Sequence, residues 1–150
     1  MQLNWDYRIT EFLELAKRFN EETGYPVTYS YDNAKNYVWR LVNDKCTAIF
    51  VHYEEGKLAG SIIVHYDNEF SNEFFGYVGK MYVLPEYRGT WTGRALLQEA
   101  CDWFDDNKCI LSFATATAGI GQDKLFTNLV GKFGFAPQGG ILIRKGKQHE

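Results

Sequence analysis

Tyr82-Val-Leu-Pro-Glu-Tyr-Arg-Gly-Thr-Trp-Thr-Gly-Arg-Ala-Leu-Leu97 is the stretch on which the reading of this chain turns. Its first three residues are apolar and suit a strand, and Pro85 ends that strand because it has no N–H to donate. A short loop rich in small residues follows, and then an apolar repeat of helical period. First-turn amides of a helix have no intrahelical partner, and the helix dipole adds partial positive charge there. Small residues let an anion approach those amides, and Arg88 and Arg94 supply cations. The chemistry that fits is the holding of a pyrophosphate.

Working outward, Phe74–Leu84 reads as the strand that enters this loop, and residues 91–106 as the helix that leaves it. Ala95, Leu96, Ala100 and Trp103 form the inward face of that helix. Upstream, Cys46–Tyr53 and Lys57–Tyr66 read as two antiparallel strands joined by a turn at Glu55-Gly56. The polar stretch Asp67–Glu73 is a loop. Before these, residues 9–23 show apolar positions at three- and four-residue steps, Phe12, Leu13, Leu15, Ala16 and Phe19, with Gly24 and Pro26 as stop signals. A second helix is capped by Asp32 or Asn33 and turns Tyr37, Val38, Leu41 and Val42 inward.

Downstream, Cys109–Ala114 is nearly all apolar, the pattern of a buried central strand. A loop over Ala116–Gly121, a helix over Asp123–Phe133 ended by Gly134, and a last strand at Ile141–Ile143 complete the order α, α, β, β, β, α, β, α, β. A meander followed by alternation predicts an α/β (α+β) fold: a mixed sheet with helices on both faces.

Composition narrows the function. The 150 residues fit one domain, 1–150, with no linker or repeat, and 45% hydrophobic content is ordinary for a globular protein. Aromatic content of 17% exceeds what a core alone needs and points to a groove with polar handles. A formal net charge of -3 makes nucleic acid a poor partner and fits a cationic substrate slightly better. Arg144-Lys-Gly-Lys147 is a small basic tail, read as solvated. Cys46, Cys101 and Cys109 read as reduced thiols, and His52, His65 and His149 are scattered. With neither HExxH nor CxxC, no metal site is expected. No 18-residue apolar run and no signal-like N-terminus are present, so a cytoplasmic protein without membrane partners is expected.

Val83-Leu-Pro-Glu-Tyr-Arg-Gly together with Gly93-Arg-Ala-Leu-Leu97 resembles the acetyl-CoA signature of the GNAT N-acetyltransferase superfamily, an Arg or Gln, two residues, Gly, one residue, and Gly or Ala opening a helix. Arg88 and Gly93 fill the outer places, and Trp91 stands where the middle Gly would be. Gly131-Lys-Phe-Gly-Phe135 resembles the family's Lys-x-Gly-Phe ending. The resemblance implies an enzyme, an acetyl-CoA-dependent N-acetyltransferase in which an amine attacks the thioester directly. The amine acceptor would be a small molecule or a protein; edge-strand dimers are common among such folds, and the resemblance leaves a homodimer or a larger assembly open.

The resemblance also implies a site. The backbone of Met81, Tyr82 and Val83 would pair with the pantetheine arm, and the amides of Arg88, Gly89, Thr90, Trp91, Thr92, Gly93 and Arg94 would hold the pyrophosphate. Two strands ending near Leu84 and Ala114 would splay to admit the thioester. The Trp91 side chain would point away, narrow the loop, or stack on adenine. Thr115–Gln122 borders the CoA arm or is a plain connector. The family's thiolate-protonating Tyr maps to Val130, with Phe126 one turn earlier. The family's basic Glu maps to Tyr77, leaving Glu73 as the first candidate base and His65 as the second. These substitutions keep a second class open: a catalytically silent GNAT-fold binding or structural module, such as a phage-encoded assembly component.

Overall fold

The computed structural model describes residues 1–115, 123–139 and 142–146. Helices α1 (Ile9–Glu22) and α2 (Tyr31–Val42) precede strands β1 (Thr47–Glu54), β2 (Lys57–Asp67) and β3 (Phe74–Val83). A 3-10 turn at Pro85–Tyr87 leads to α3 (Trp91–Asp106), β4 (Cys109–Ala114) and α4 (Asp123–Gly131). The sheet order is β1-β2-β3-β4, antiparallel for the first two pairings and parallel for the third. The mixed sheet of the sequence reading is therefore present.

Alternation along the strands creates two cores. On one face Ile49, Val51, Ile63, Tyr82 and Leu84 pack with Ile9, Phe12, Leu13, Leu15 and Val38 of α1 and α2. On the other, Phe50, Ile62, Val64 and Val78 pack with Leu96, Leu97, Ala100, Phe104 and Val130 of α3 and α4. Every residue of β2 from Leu58 to Val64 is buried because helices cover both of its faces. Glu55 and Gly56 both take positive φ, 51° and 76°, the geometry that lets a two-residue turn follow strand twist.

Several expectations change. Ser30, not Asp32 or Asn33, caps α2: its Oγ accepts from the Asn33 amide at 3.3 Å. Cys109–Ala114 forms a strand, but among the described residues it lies at the sheet edge, with Leu111 and Phe113 exposed rather than buried. Apolar content reports burial only when neighbours cover both faces, and α1 and α2 do not extend over β4. Helix α4 stops at Gly131; the Phe133 and Phe135 amides both turn back to the Val130 carbonyl, and Gly134 takes φ 89°. In the predicted last strand, Leu142 and Ile143 are exposed and carry no strand, while Ile141 lies outside the described residues. The Ala116–Gly121 loop and Lys147 also lie outside them. Arg144 and Lys145 are exposed. The three cysteines are free and half-buried. No described helix is long and apolar enough to cross a membrane.

Candidate acetyl-CoA site

Strand β3 is paired unevenly. Its first half is held on both sides, by β2 and by β4, and the β4 pairing ends at Val78 opposite Ala114. Beyond that point Gly79–Val83 has β2 on one side only. Gly79 is an extra residue in the register, since Ile63 faces Lys80 while Val64 faces Val78. Such a bulge re-aims the strand. The Leu84 amide donates to the Ala59 carbonyl of β2 at 2.8 Å. Alternation therefore directs the main-chain groups of Met81 and Val83 to the open side.

That open edge is one wall of a cavity of about 710 Å³. Phe19, Asn20 and Thr23 from the end of α1, with Tyr25 and Val27, form a second wall. The loop from Tyr87 to Trp91 with Gly93 and Arg94 forms a third, and Thr115 with Leu125, Phe126, Asn128, Leu129 and Lys132 lines the rest of the described cavity, which is open to solvent. A 710 Å³ cleft is within the size range of cofactor sites. Its described lining carries the cations Lys80, Arg88, Arg94 and Lys132 and no carboxylate, so it favours an anionic ligand.

The loop before α3 is built for close backbone approach. Gly89 takes φ 78°, a conformation that side chains resist. Thr90 caps α3, its Oγ1 accepting from the Thr92 amide at 3.4 Å, which leaves the Trp91 and Gly93 amides without intrahelical partners. Gly93 is buried where a Cβ would come 2.9 Å from Leu129. Trp91 is 62% exposed, and the Arg94 guanidinium lies 5.0 Å from its ring centroid. The Trp91 side chain projects outward at the mouth and does not fill the loop.

Arg88 differs from its expected surroundings. Its Nη1 and Nη2 donate to Oε1 and Oε2 of Glu22 at 2.7 and 2.9 Å, and its Nε donates to the Val83 carbonyl at 2.9 Å. The Tyr82 hydroxyl donates to Glu22 Oε2 at 2.6 Å. The bonds from Arg88 hold the Glu22 carboxyl below its ordinary pKa, with those from Tyr82 adding to them. Burial, then the bond to Glu22, pushes the Tyr82 phenol up to about 12. The sequence gives no signal for Glu22, which looks like any helix-end acid until it is placed against Arg88, Tyr82 and Val83.

The candidate bases lie elsewhere. Glu73 is exposed and precedes β3, roughly 20 Å from Gly79 at about 3.3 Å per strand residue. That position does not bring it to the cavity, because the strand carries it to the far end of the sheet. His65 stacks on Tyr77, and its Nδ1 lies 3.8 Å from where a Gly79 Cβ would stand, so it borders the cavity without lining it. Tyr77 is stacked between His65 and Phe113 and donates to Glu69, which raises its pKa to about 12. Val130 is core, while Phe126 lines the cavity.

Residues 9–131 match the family model of the acetyltransferase (GNAT) family. The chain belongs to the GNAT family. Similar folds include the aminoglycoside acetyltransferase AAC(6')-Iy bound to a bisubstrate analog, CoA-S-monomethyl-acetylneamine. The two share a TM-score of 0.78 and 13% identity over 99% of this chain and 97% of that one. The aminoglycoside 6'-N-acetyltransferase AAC(6')-IG from Acinetobacter haemolyticus gives a TM-score of 0.72 at 16% identity, covering 99% and 98%. A ribosomal-protein-alanine N-acetyltransferase from Brucella melitensis biovar Abortus gives 0.70 at 18%, covering 97% and 98%. No curated protein sequence matches this chain.

Proposed function

We propose that the protein is an acetyl-CoA-dependent N-acetyltransferase that moves the acetyl group to an amine by direct attack. The observation that carries this reading is the half-paired β3, whose open edge and adjoining α3 amides line one cationic cavity. The pantetheine arm would add to β3 as a short strand at Met81 and Val83, with Tyr82 between them. Arg88, Gly89, Thr90, Trp91, Thr92, Gly93 and Arg94 would surround the pyrophosphate, chiefly through main-chain amides and the Arg94 cation.

The reaction needs a neutral amine. Its nitrogen lone pair attacks the thioester carbonyl, the carbonyl oxygen takes the negative charge, and the C–S bond then breaks. The nitrogen loses a proton, and the departing thiolate gains one. Amides along the open strand would stabilise that oxyanion, and placement of the two reactants would supply much of the acceleration. The acetyltransferases with similar folds act on small aminoglycosides in two cases and on a protein's alanine in the third, so amine acceptors of either size are compatible with this architecture.

The position of Glu73 and the apolar character of Val130 and Phe126 favour a second reading, a silent binding module with an intact cradle. Calorimetric titration with acetyl-CoA, with desulfo-CoA as control, tests the cradle. One-site binding that is lost in Gly93→Glu, which adds bulk and negative charge at the first turn of α3, is the expected result. Absence of binding to the unaltered protein would overturn both readings of the cradle. Thioester cleavage stimulated by an amine, followed as free thiol, separates the enzyme from the module.

A further inference from the structure

We propose that Glu22 is a positioning residue for the cofactor cradle, acting through Arg88, and that the Arg88 guanidinium is an internal brace rather than the cation that neutralises the pyrophosphate. This inference rests on the acetyl-CoA reading of the cavity.

Glu22 occupies the last turn of α1, and Arg88 is the first residue of the loop that leads into α3. They are 66 positions apart, and the fold brings them into a two-pronged contact. Paired N–H donors on a carboxylate fix orientation as well as distance. The third guanidinium nitrogen on Val83 and the Tyr82 hydroxyl on Glu22 complete the arrangement. Glu22 thus accepts from two residues, and each of the three guanidinium nitrogens of Arg88 makes a hydrogen bond. The guanidinium carbon also lies 5.5 Å from the Tyr82 ring centroid. The side chains are 16% and 28% exposed for Arg88 and Glu22, so water competes weakly for these bonds.

The consequence is mechanical and electrostatic. The Arg88 side chain ties the start of the loop back to the end of β3 and to α1. The free amides of Trp91 and Gly93 are then presented from a fixed base. Its charge is matched by Glu22, so the other cations of the described lining, Arg94, Lys80 and Lys132, supply the net positive field of the cavity. The brace also occupies the Val83 carbonyl, one of the groups on the open edge, which leaves the Val83 amide and both main-chain groups of Met81 to face the cavity.

The test is calorimetric titration of acetyl-CoA at several salt concentrations with the full chain and the variants Glu22→Gln, Arg88→Gln, Arg94→Gln and Glu22→Gln/Arg88→Gln. The salt slope distinguishes a phosphate-neutralising charge from a brace, because only an unpaired cation near the phosphates is screened in proportion. The expected result is about tenfold weaker binding in Glu22→Gln, of the size seen when a supporting residue behind a ligand is removed. Arg88→Gln weakens binding to a similar extent with an unchanged salt slope, whereas Arg94→Gln flattens the slope. The double variant is no weaker than either single one, since both remove the same interaction. Unchanged or tighter binding in Glu22→Gln, or a flattened slope in Arg88→Gln, would overturn the proposal and make Arg88 a phosphate ligand. If Glu22→Gln melts too low to titrate, Tyr82→Phe removes one donor to Glu22 alone, and binding as tight as in the unaltered chain would count against the brace. Failure of the unaltered chain to bind acetyl-CoA would instead remove the cofactor reading itself.

Discussion

The two halves of β3 are built from similar residues and do different work. Phe74–Val78 lies between β2 and β4, and its backbone is held on both sides. Gly79–Val83 has a partner on one side and a cavity on the other. The first half is held by packing: Gly76 is pressed against the Phe104 ring and the Ser112 hydroxyl, leaving no room for a Cβ. The second half is held by its neighbours' side chains, through the Arg88 bond to Val83 and the Glu22 bond from Tyr82. One strand therefore is packed core at one end and an open cavity wall at the other, and the boundary is the point where β4 ends its pairing.

Substitutions in each half sharpen this division. The largest effect is expected for Gly76→Val. A Cβ there would sit 2.5 Å from Phe104 Cδ1, so overpacking should lower stability by about 3 kcal/mol. Urea unfolding would show the loss, while the folded fraction keeps its acetyl-CoA affinity; a variant with full stability would mean that α3 shifts freely and the half is not packed as described. Gly89→Ala acts on the other half. Forcing alanine to φ 78° costs about 1–2 kcal/mol, which should distort the loop, lower the melting temperature by a few degrees (about 2–4 °C per kcal/mol) and weaken acetyl-CoA binding by about tenfold.

A pH series separates the halves more finely. Glu22 has a folded pKa below its ordinary 4.5, chiefly because Arg88 donates to it. Its contribution to stability is present above pH 4.5 and is lost as pH falls through the depressed folded value. The melting temperature of the unaltered chain should therefore fall faster between about pH 5 and pH 3 than that of Glu22→Gln. Parallel curves would mean that the carboxylate is not held as drawn. The smallest effect is expected for Glu73→Gln. Standing before the packed half, it should change kcat/KM by less than about twofold, since only groups within hydrogen-bond reach of the amine act as its base. A loss of a hundredfold would bring the first strand residues to the reacting atoms and break the comparison.

Much of this was legible in the chain itself. Pro85 and the small residues up to Gly93 mark where a strand must end and a helix begin, because backbone hydrogen bonding and side-chain bulk act over a few residues. The periods of the apolar positions located α1, α3 and the three meander strands for the same reason. The candidate cradle, with Arg88 and Arg94 near it, follows from that local chemistry.

What remained hidden depends on residues far apart in the chain. Cys109–Ala114 reads as a central strand because its six residues are nearly all apolar, but burial depends on what lies over and beside it, and the described elements leave it at an edge. Glu73 looks adjacent to the chemistry because it is near Tyr77 in sequence, yet an extended strand moves each residue about 3.3 Å farther from the cavity. Arg88 looks like an unpaired cation until α1 delivers Glu22 to it. The sequence by itself determined where the backbone turns and where a helix start follows a loop of small residues, since those are short-range properties. Only the tertiary structure decided which charges are paired, which carboxylates lie out of reach and where β3 loses a neighbour, since each of these is a contact between elements that the sequence keeps apart.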